Sequence, residues 1–168
     1  ALETLLLNLA GMSLFDAVNH GLSTLSTGGF STKNASIAYW NDNYWIQYII
    51  ILFMFMSGTN FVLFYLAFKL KFKRLMANEE FRWYVLFVSI ITLITFIAVY
   101  FQGDLTLSST QHPMLLGRIE ATFRHALFQV VAVITTTGFV TSDFTAWLPF
   151  ISIFFFGLFF LGGSAGST

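Results

Sequence analysis

The 168-residue chain contains no cysteine, which removes disulfides, thiolate metal sites and cysteine nucleophiles together. Charge is scarce. Eight Lys and Arg against eight Asp and Glu give a formal net charge of zero, and only 10% of residues are charged, where a soluble domain carries roughly 25%. With no basic excess there is no electrostatic footprint for nucleic acid. Proline occurs twice, and the sparse repetition argues against disorder. The opening residues do not read as a secretory signal, since no basic stretch precedes a short apolar core. What fills the sequence is apolar: 57% hydrophobic residues, with 22 Phe, 4 Trp and 6 Tyr, and a mean hydropathy of +0.76. So few charges cannot cover a water-soluble globule of this composition. Bulky apolar side chains facing acyl tails, with Trp and Tyr near headgroups, fit it instead. The broad class is a polytopic integral membrane protein. Both ends fall in apolar surroundings and no Met opens the chain, so the sequence is expected to be the middle of a longer protein.

A spanning helix needs roughly 20 consecutive apolar residues. Residues 45–68, 83–103 and 144–168 contain no Asp, Glu, Lys, Arg or His, and each is long enough. Residues 4–15 are also uncharged but too short to span alone, and are expected to be the outer part of a truncated helix. Between the first two spans lie Lys69, Lys71, Lys73, Arg74, Glu79, Glu80 and Arg82, holding five of the eight basic residues. Short Lys/Arg-rich loops stay in the cytoplasm. That places this hairpin inside, and residues 30–44 and 104–146 outside or re-entrant.

The sequence also repeats itself at an offset of 109 (138 − 29). Residues 15–32 align with 124–141, with identities at Ala17/Ala126, Thr27/Thr136, Gly29/Gly138, Phe30/Phe139 and Thr32/Thr141. Each copy has about a dozen helix-forming residues, 14–25 and 123–134. At about 1.5 Å per residue these rise roughly 18 Å, so they dip into the bilayer without crossing it. The chain must then climb out through Ser26-Thr27-Gly28-Gly29-Phe30 or Thr135-Thr136-Thr137-Gly138-Phe139 in non-helical form. Irregular backbone at membrane depth persists only where it is buried in protein or lines a water-filled path. A row of carbonyls without amide partners is a site for a dehydrated monovalent cation, and the negative end of each short helix points at it. Glycine helps turn successive carbonyls the same way.

These residues resemble the Trk/Ktr/HKT superfamily of potassium transporters, most closely its bacterial Trk-type branch. The resemblance is carried by residues 20–37, Phe55-Met56-Ser57-Gly58-Thr59-Asn60, Glu80-Phe81-Arg82, Phe128-Gln129-Val130-Val131, Thr135-Thr136-Thr137-Gly138-Phe139 and Gly162-Gly163-Ser164-Ala165-Gly166-Ser167-Thr168. It implies an all-α integral membrane fold in which span–pore helix–span repeats, with re-entrant filter loops, surround a pore. The chain would hold repeats two and three of four. One unit is residues 1–74: the end of a first span, pore helix, filter and second span. The other is 75–168, truncated in its second span. The resemblance further implies potassium ligands at the backbone carbonyls of Thr27 and Gly28, and of Thr136 and Thr137, directly before Gly29 and Gly138. It favours potassium where that glycine is kept and sodium where one is serine. Gly162, Gly163, Ser164, Ala165, Gly166, Ser167 and Thr168 resemble an intramembrane loop that obstructs the pore below the filter. A homodimer, a cytoplasmic nucleotide-binding regulatory subunit and multi-pass insertion in the bacterial inner membrane are implied as well. No resident cofactor and no enzymatic activity are expected.

Other signals carry less. Gly162-Gly163-Ser164-Ala165-Gly166 fits the Gly-x-Ser-x-Gly nucleophile pattern, but that elbow follows a strand, and here a Phe-rich helix precedes it with no suitably placed His. The same glycines fit a helix-packing motif. His20 and His125 have no second ligand at helical spacing and read as hydrogen-bonded structural groups. Asp16 and Arg124 are read as homologous positions near the half-helix N-termini. Asp16 suits the dipole and Arg124 does not, so Arg124 should face an acid or water. Asp16, Asp42, Asp104, Glu120 and Asp143 against Lys33, Arg118 and Arg124 make the outer side slightly acidic, which would enrich cations at the mouth. The function read from the sequence is potassium uptake through a carbonyl filter, either passive or coupled in symport. The alternative is a secondary transporter whose broken helices bind a small solute.

Overall fold

A computed structural model describes residues 1–59, 69, 76–102, 116–142, 147, 153 and 155–158. Its principal helices are α1 (Leu2–Leu9), α2 (Leu14–Leu25), a 3₁₀ turn (Ser36–Trp40), α3 (Tyr44–Ser57), α4 (Glu79–Gln102) and α5 (Arg118–Ile134). Residues 155–158 are also helical, inside the expected third span. The gate residues Gly162 to Thr168 lie outside the described residues, as do 60–68 at the end of the first expected span.

The short apolar stretch at the start does not run on into the half-helix. Ser13 interrupts it: its hydroxyl accepts the Asp16 N–H at 3.1 Å and donates to the Asp16 carboxylate at 2.8 Å. This satisfies an orphan donor at the N-terminus of α2 and places a negative charge at the positive dipole end. α1 and α2 therefore form a helical hairpin. Asn43 begins α3 by accepting the Trp45 N–H at 3.1 Å, while its own amide donates to the Ala10 carbonyl at 2.5 Å.

α3 packs against α1, α2 and α5, so it is the shared wall of the two repeats. α4 lies along α5 and presents Trp83, Leu86, Ile90, Leu93, Ile97 and Phe101 outward. By length and composition α4 is fit to cross a membrane, and among the described residues it is the one helix that is. α5 is longer than the expected half-helix. It starts at Arg118 after Gly117 (φ 95°) and runs for 17 residues, against 12 for α2. The extra turn carries Arg118 and Glu120, whose charges made it read as outer loop. Arg118 is anchored on the Tyr100 carbonyl at 3.0 Å, and Glu120 sits favourably at the helix N-terminus.

A buried polar chain ties α3 to α5. The Arg124 guanidinium is fully buried. It reaches Glu120 at 2.8 Å and the Gln47 side-chain carbonyl of α3 at 2.5 Å, and Tyr48 donates to Glu120 at 3.0 Å. Gln47 donates onward to Asn41, which donates to the Thr141 carbonyl at 2.9 Å. Arg124 thus faces an acid. Removing one partner of a buried pair leaves the rest uncompensated. Arg124→Ala is expected to cost about 3–5 kcal/mol, and Arg124→Lys less because a charge remains for Glu120. Melting curves of the detergent-solubilised protein check the order.

Candidate ion filter

Both half-helices end in the same way. Ser26 and Thr135 close α2 and α5, and the next residue is a left-handed threonine: Thr27 at φ 49° and Thr136 at φ 56°. In the first copy the Thr27 N–H bonds to the Thr24 carbonyl at 3.1 Å and the Gly28 N–H to the Ser23 carbonyl at 2.8 Å. In the second, the Thr136 N–H bonds to Val133 at 3.0 Å and the Gly138 N–H to Ala132 at 3.1 Å. The first copy has the bonds of a Schellman closure; the second extends its longer bond by one residue. Position C′ usually holds glycine, and a left-handed threonine costs roughly 1–2 kcal/mol.

Two residues on, Gly29 (φ 67°) and Gly138 (φ 78°) are left-handed again. The alternation turns each loop out of helical register. The N–H groups of Thr27, Gly28, Thr136 and Gly138 point back to the helix, and among the described residues no hydrogen bond reaches the carbonyl oxygens of Thr27, Gly28, Gly29, Thr136, Thr137 or Gly138. Unpaired oxygens of this kind, each at the negative end of a helix dipole, can replace the hydration shell of a cation. The two loops also meet. A Cβ at Gly29 would collide with the Thr137 carbonyl oxygen and lie 3.1 Å from its carbon, whereas a Cβ at Gly138 would find nothing within 4 Å. The Thr135 and Thr137 hydroxyls are 2.8 Å apart, and Thr135 also donates to the Val131 carbonyl at 2.8 Å.

The chain leaving each loop is strapped to its own half-helix at matching positions. Thr32 donates to the Asp16 carboxylate at 2.6 Å; at the equivalent place Thr141 lies 3.1 Å from His125 Nδ1. The partner of Asp16 in the repeat is therefore His125, one residue beyond the Arg124 that the sequence reading placed there. His20 bonds the Asp16 carbonyl at 2.7 Å and the Ser31 hydroxyl at 2.9 Å. Its counterpart Gln129 donates to the Ser142 carbonyl at 3.3 Å. The His20 ring sits edge-on to Trp40 at 5.1 Å and 5.8 Å from Phe139 of the other copy. The two exit limbs are stitched directly: the Ala38 N–H bonds the Val140 carbonyl at 3.0 Å, and the Val140 N–H bonds the Ser36 hydroxyl at 3.2 Å.

The Thr32 hydrogen bond, helped by Ser13 and Lys33, holds the Asp16 carboxyl below the usual carboxylate range. Among the described residues no group of three His, Asp or Glu is placed to hold a metal ion through side chains. The sequence reading missed the strapping role of Thr32 and Thr141, although their identity in the repeat was visible. It also passed over Glu3, which is buried on α1 beside Thr24 of the neighbouring half-helix.

The protein-family model described as TrkH, cation transport protein, matches residues 7–168. The Trk system potassium uptake protein TrkH of Vibrio parahaemolyticus serotype O3:K6 is 36% identical over 163 residues, covering 95% of this chain and 31% of that protein. The Trk system potassium uptake protein TrkG of Escherichia coli K12 is 34% identical over 161 residues, covering 95% and 30%. The crystal structure of the potassium transporter TrkH from Vibrio parahaemolyticus superposes with a TM-score of 0.79 at 34% identity, covering 98% of this chain and 33% of that one. The chain thus spans about a third of the length of these relatives.

Because Asp16 is held below its ordinary range, its contribution to stability is complete above about pH 4 and fades as the pH falls through the lowered value. Thr32→Val should therefore cost about 1 kcal/mol at pH 7, and the gap to wild type should narrow as the pH falls through the lowered value and Asp16 takes up a proton. Melting temperatures along an acid pH series test this.

Proposed function

The chain belongs to the TrkH family of cation transport proteins, and from that premise we propose that it forms two repeats of a potassium-uptake pore in the bacterial inner membrane. Residues 1–74 supply one repeat and 75–168 the next. The observation that carries this reading is the matched pair of left-handed loops, whose carbonyls accept no hydrogen bond among the described residues and which touch at Gly29 and Thr137. A potassium ion sheds water as it enters and exchanges it for the oxygens of Thr27 and Gly28, and of Thr136 and Thr137. Gly29 and Gly138 complete the filter, and the half-helix dipoles offset the cost of dehydration. Two further repeats complete the ring.

The connectivity supports rotation about an axis over the inverted pairing of many secondary transporters. Two spans, those containing α3 and α4, separate α2 from α5, so both half-helices enter from the same side. Gly162, Gly163, Ser164, Ala165, Gly166, Ser167 and Thr168 form the gate in this reading, a helix break that obstructs the pore until it moves. The family reading also brings a homodimer and a cytoplasmic nucleotide-binding regulatory subunit, which the basic hairpin around Lys69, Lys71, Lys73 and Arg74 would face. The primary test is potassium-dependent growth of an uptake-deficient strain carrying the complete protein. Growth supports the reading, and absence of potassium flux overturns it.

Within that assay the two filter glycines should differ. Gly138→Ser has room for its side chain but strains a left-handed backbone at φ 78°, and in this reading its hydroxymethyl narrows the ring for the larger ion. Uptake should persist, with the potassium-to-sodium flux ratio lowered about tenfold, a change of about 1.4 kcal/mol. Gly29→Ser meets the Thr137 carbonyl and should lose most potassium flux as well. Deleting residues 163–166 should raise basal uptake, measured as rubidium tracer entry; unchanged entry would remove the gate from the proposal.

A further inference from the structure

The apolar run of the first expected span continues to residue 68, yet α3 stops at Ser57 with Gly58 as its C-cap. The stop is built locally. The Gly58 N–H bonds to the Met54 carbonyl at 3.0 Å and the Thr59 N–H to Met56 at 3.2 Å. The Ser57 and Thr59 hydroxyls return to the same two carbonyls at 2.9 and 2.7 Å. Hydroxyls folded back in this way loosen and bend a helix.

Gly58 has no side chain because another residue occupies that space. A Cβ there would lie 2.5 Å from the methyl carbon of Thr135 and 3.2 Å from its Cβ, with the Tyr84 hydroxyl at 2.9 Å. Thr135 is the last residue before the left-handed Thr136. Its methyl is pressed on Gly58, while its hydroxyl donates to Val131 and accepts from Thr137. These three contacts fix its rotamer. Thr137, held through that hydroxyl pair, is the residue whose carbonyl abuts Gly29 of the other loop. A contiguous set of contacts therefore runs from the C-terminal end of α3, through Thr135 and Thr137, to both filter loops.

Resting on the filter reading above, we propose that Gly58 is a selectivity-positioning residue: the Thr135 methyl seated on it sets the Thr137 carbonyl, so the C-terminal end of α3 and the ion ratio of the filter are coupled. Ordinary packing predicts that Gly58→Ala lowers stability alone. Coupling predicts that it moves the ion ratio as well, and that the shift depends on the Thr135 methyl.

The experiment uses the complete protein in proteoliposomes, with potassium and sodium tracer fluxes read side by side for Gly58→Ala, Gly58→Ala/Thr135→Ser, Gly58→Ala/Tyr84→Phe and Thr135→Val. Gly58→Ala should lower the potassium-to-sodium ratio about three- to tenfold, the span expected for coupling through packed side chains. Adding Thr135→Ser removes the colliding methyl and keeps the hydroxyl, so the ratio should recover. Adding Tyr84→Phe removes the other close atom and should not restore it. Thr135→Val keeps the shape and deletes the hydroxyl pair, so it should shift the ratio even where Gly58→Ala does not assemble. A conducting Gly58→Ala protein with the wild-type ratio, recovery by Tyr84→Phe alone, or a wild-type ratio in Thr135→Val each overturns the proposal. A wild-type protein without potassium flux overturns the filter reading instead.

Discussion

The architecture depends on how two short helices are stopped. A left-handed residue at C′ folds the chain back so that its own N–H groups saturate the carbonyls of the last helical turn, Ser23 and Thr24 in one copy and Ala132 and Val133 in the other. Donors are consumed by the helix, and the next carbonyls are left over. Threonine at that position costs roughly 1–2 kcal/mol, and each closing hydrogen bond returns about 1 kcal/mol, so the turn is near balance on its own. It holds because the surroundings over-determine it. Thr135 and Thr137 share hydroxyls, Gly29 is filled by the opposite loop, and the exit limbs are stitched at Ser36, Ala38 and Val140.

The two repeats solve the same strapping problem with different chemistry. Around α2 it is ionic: Ser13, Thr32 and Lys33 converge on Asp16. Around α5 it is buried and made by His125, Gln129 and Thr141, with the ion pair moved to Arg124 and Glu120 on the side facing α3. A buried guanidinium is tolerated because Gln47 and Glu120 share its donors, and through Gln47 and Asn41 it reaches the Thr141 carbonyl. Side chains outside the two loops thus set where the backbone can go.

What was legible in the sequence was whatever follows from composition and periodicity. The bounds of α2 at Leu14 and Leu25 coincide with the reading, because Ser13 and Asp16 mark its start and the hydroxyl-glycine run marks its end. α4 was foreseen within about a turn of its observed start at Glu79. The early start of α5 was not, since Arg118 and Glu120 resemble loop charges until Tyr100 and the helix dipole are seen to receive them. Left-handed threonines leave no compositional trace: nothing separates Thr27 from Ser26 until the Schellman bonds are drawn. Nor could a single sequence pair residues as far apart as Gln47 and Arg124, whose contact depends on α3 lying between the repeats.

Four of the five identities between the copies acquire a reason in this geometry, whereas Phe30 is exposed and Phe139 buried. Ala17 and Ala126 are both fully buried where a larger side chain would push a half-helix off its neighbours. Thr27 and Thr136 take the left-handed turn, and Gly29 and Gly138 take the second one. Thr32 and Thr141 are the straps. By contrast, positions that need only some hydrogen-bonding partner have diverged, as Asp16 against His125 and His20 against Gln129. The turn residues Thr27, Thr136, Gly29 and Gly138 and the strap hydroxyls of Thr32 and Thr141 are held, because each fixes how the chain leaves its half-helix, whereas the groups that receive the straps can be exchanged.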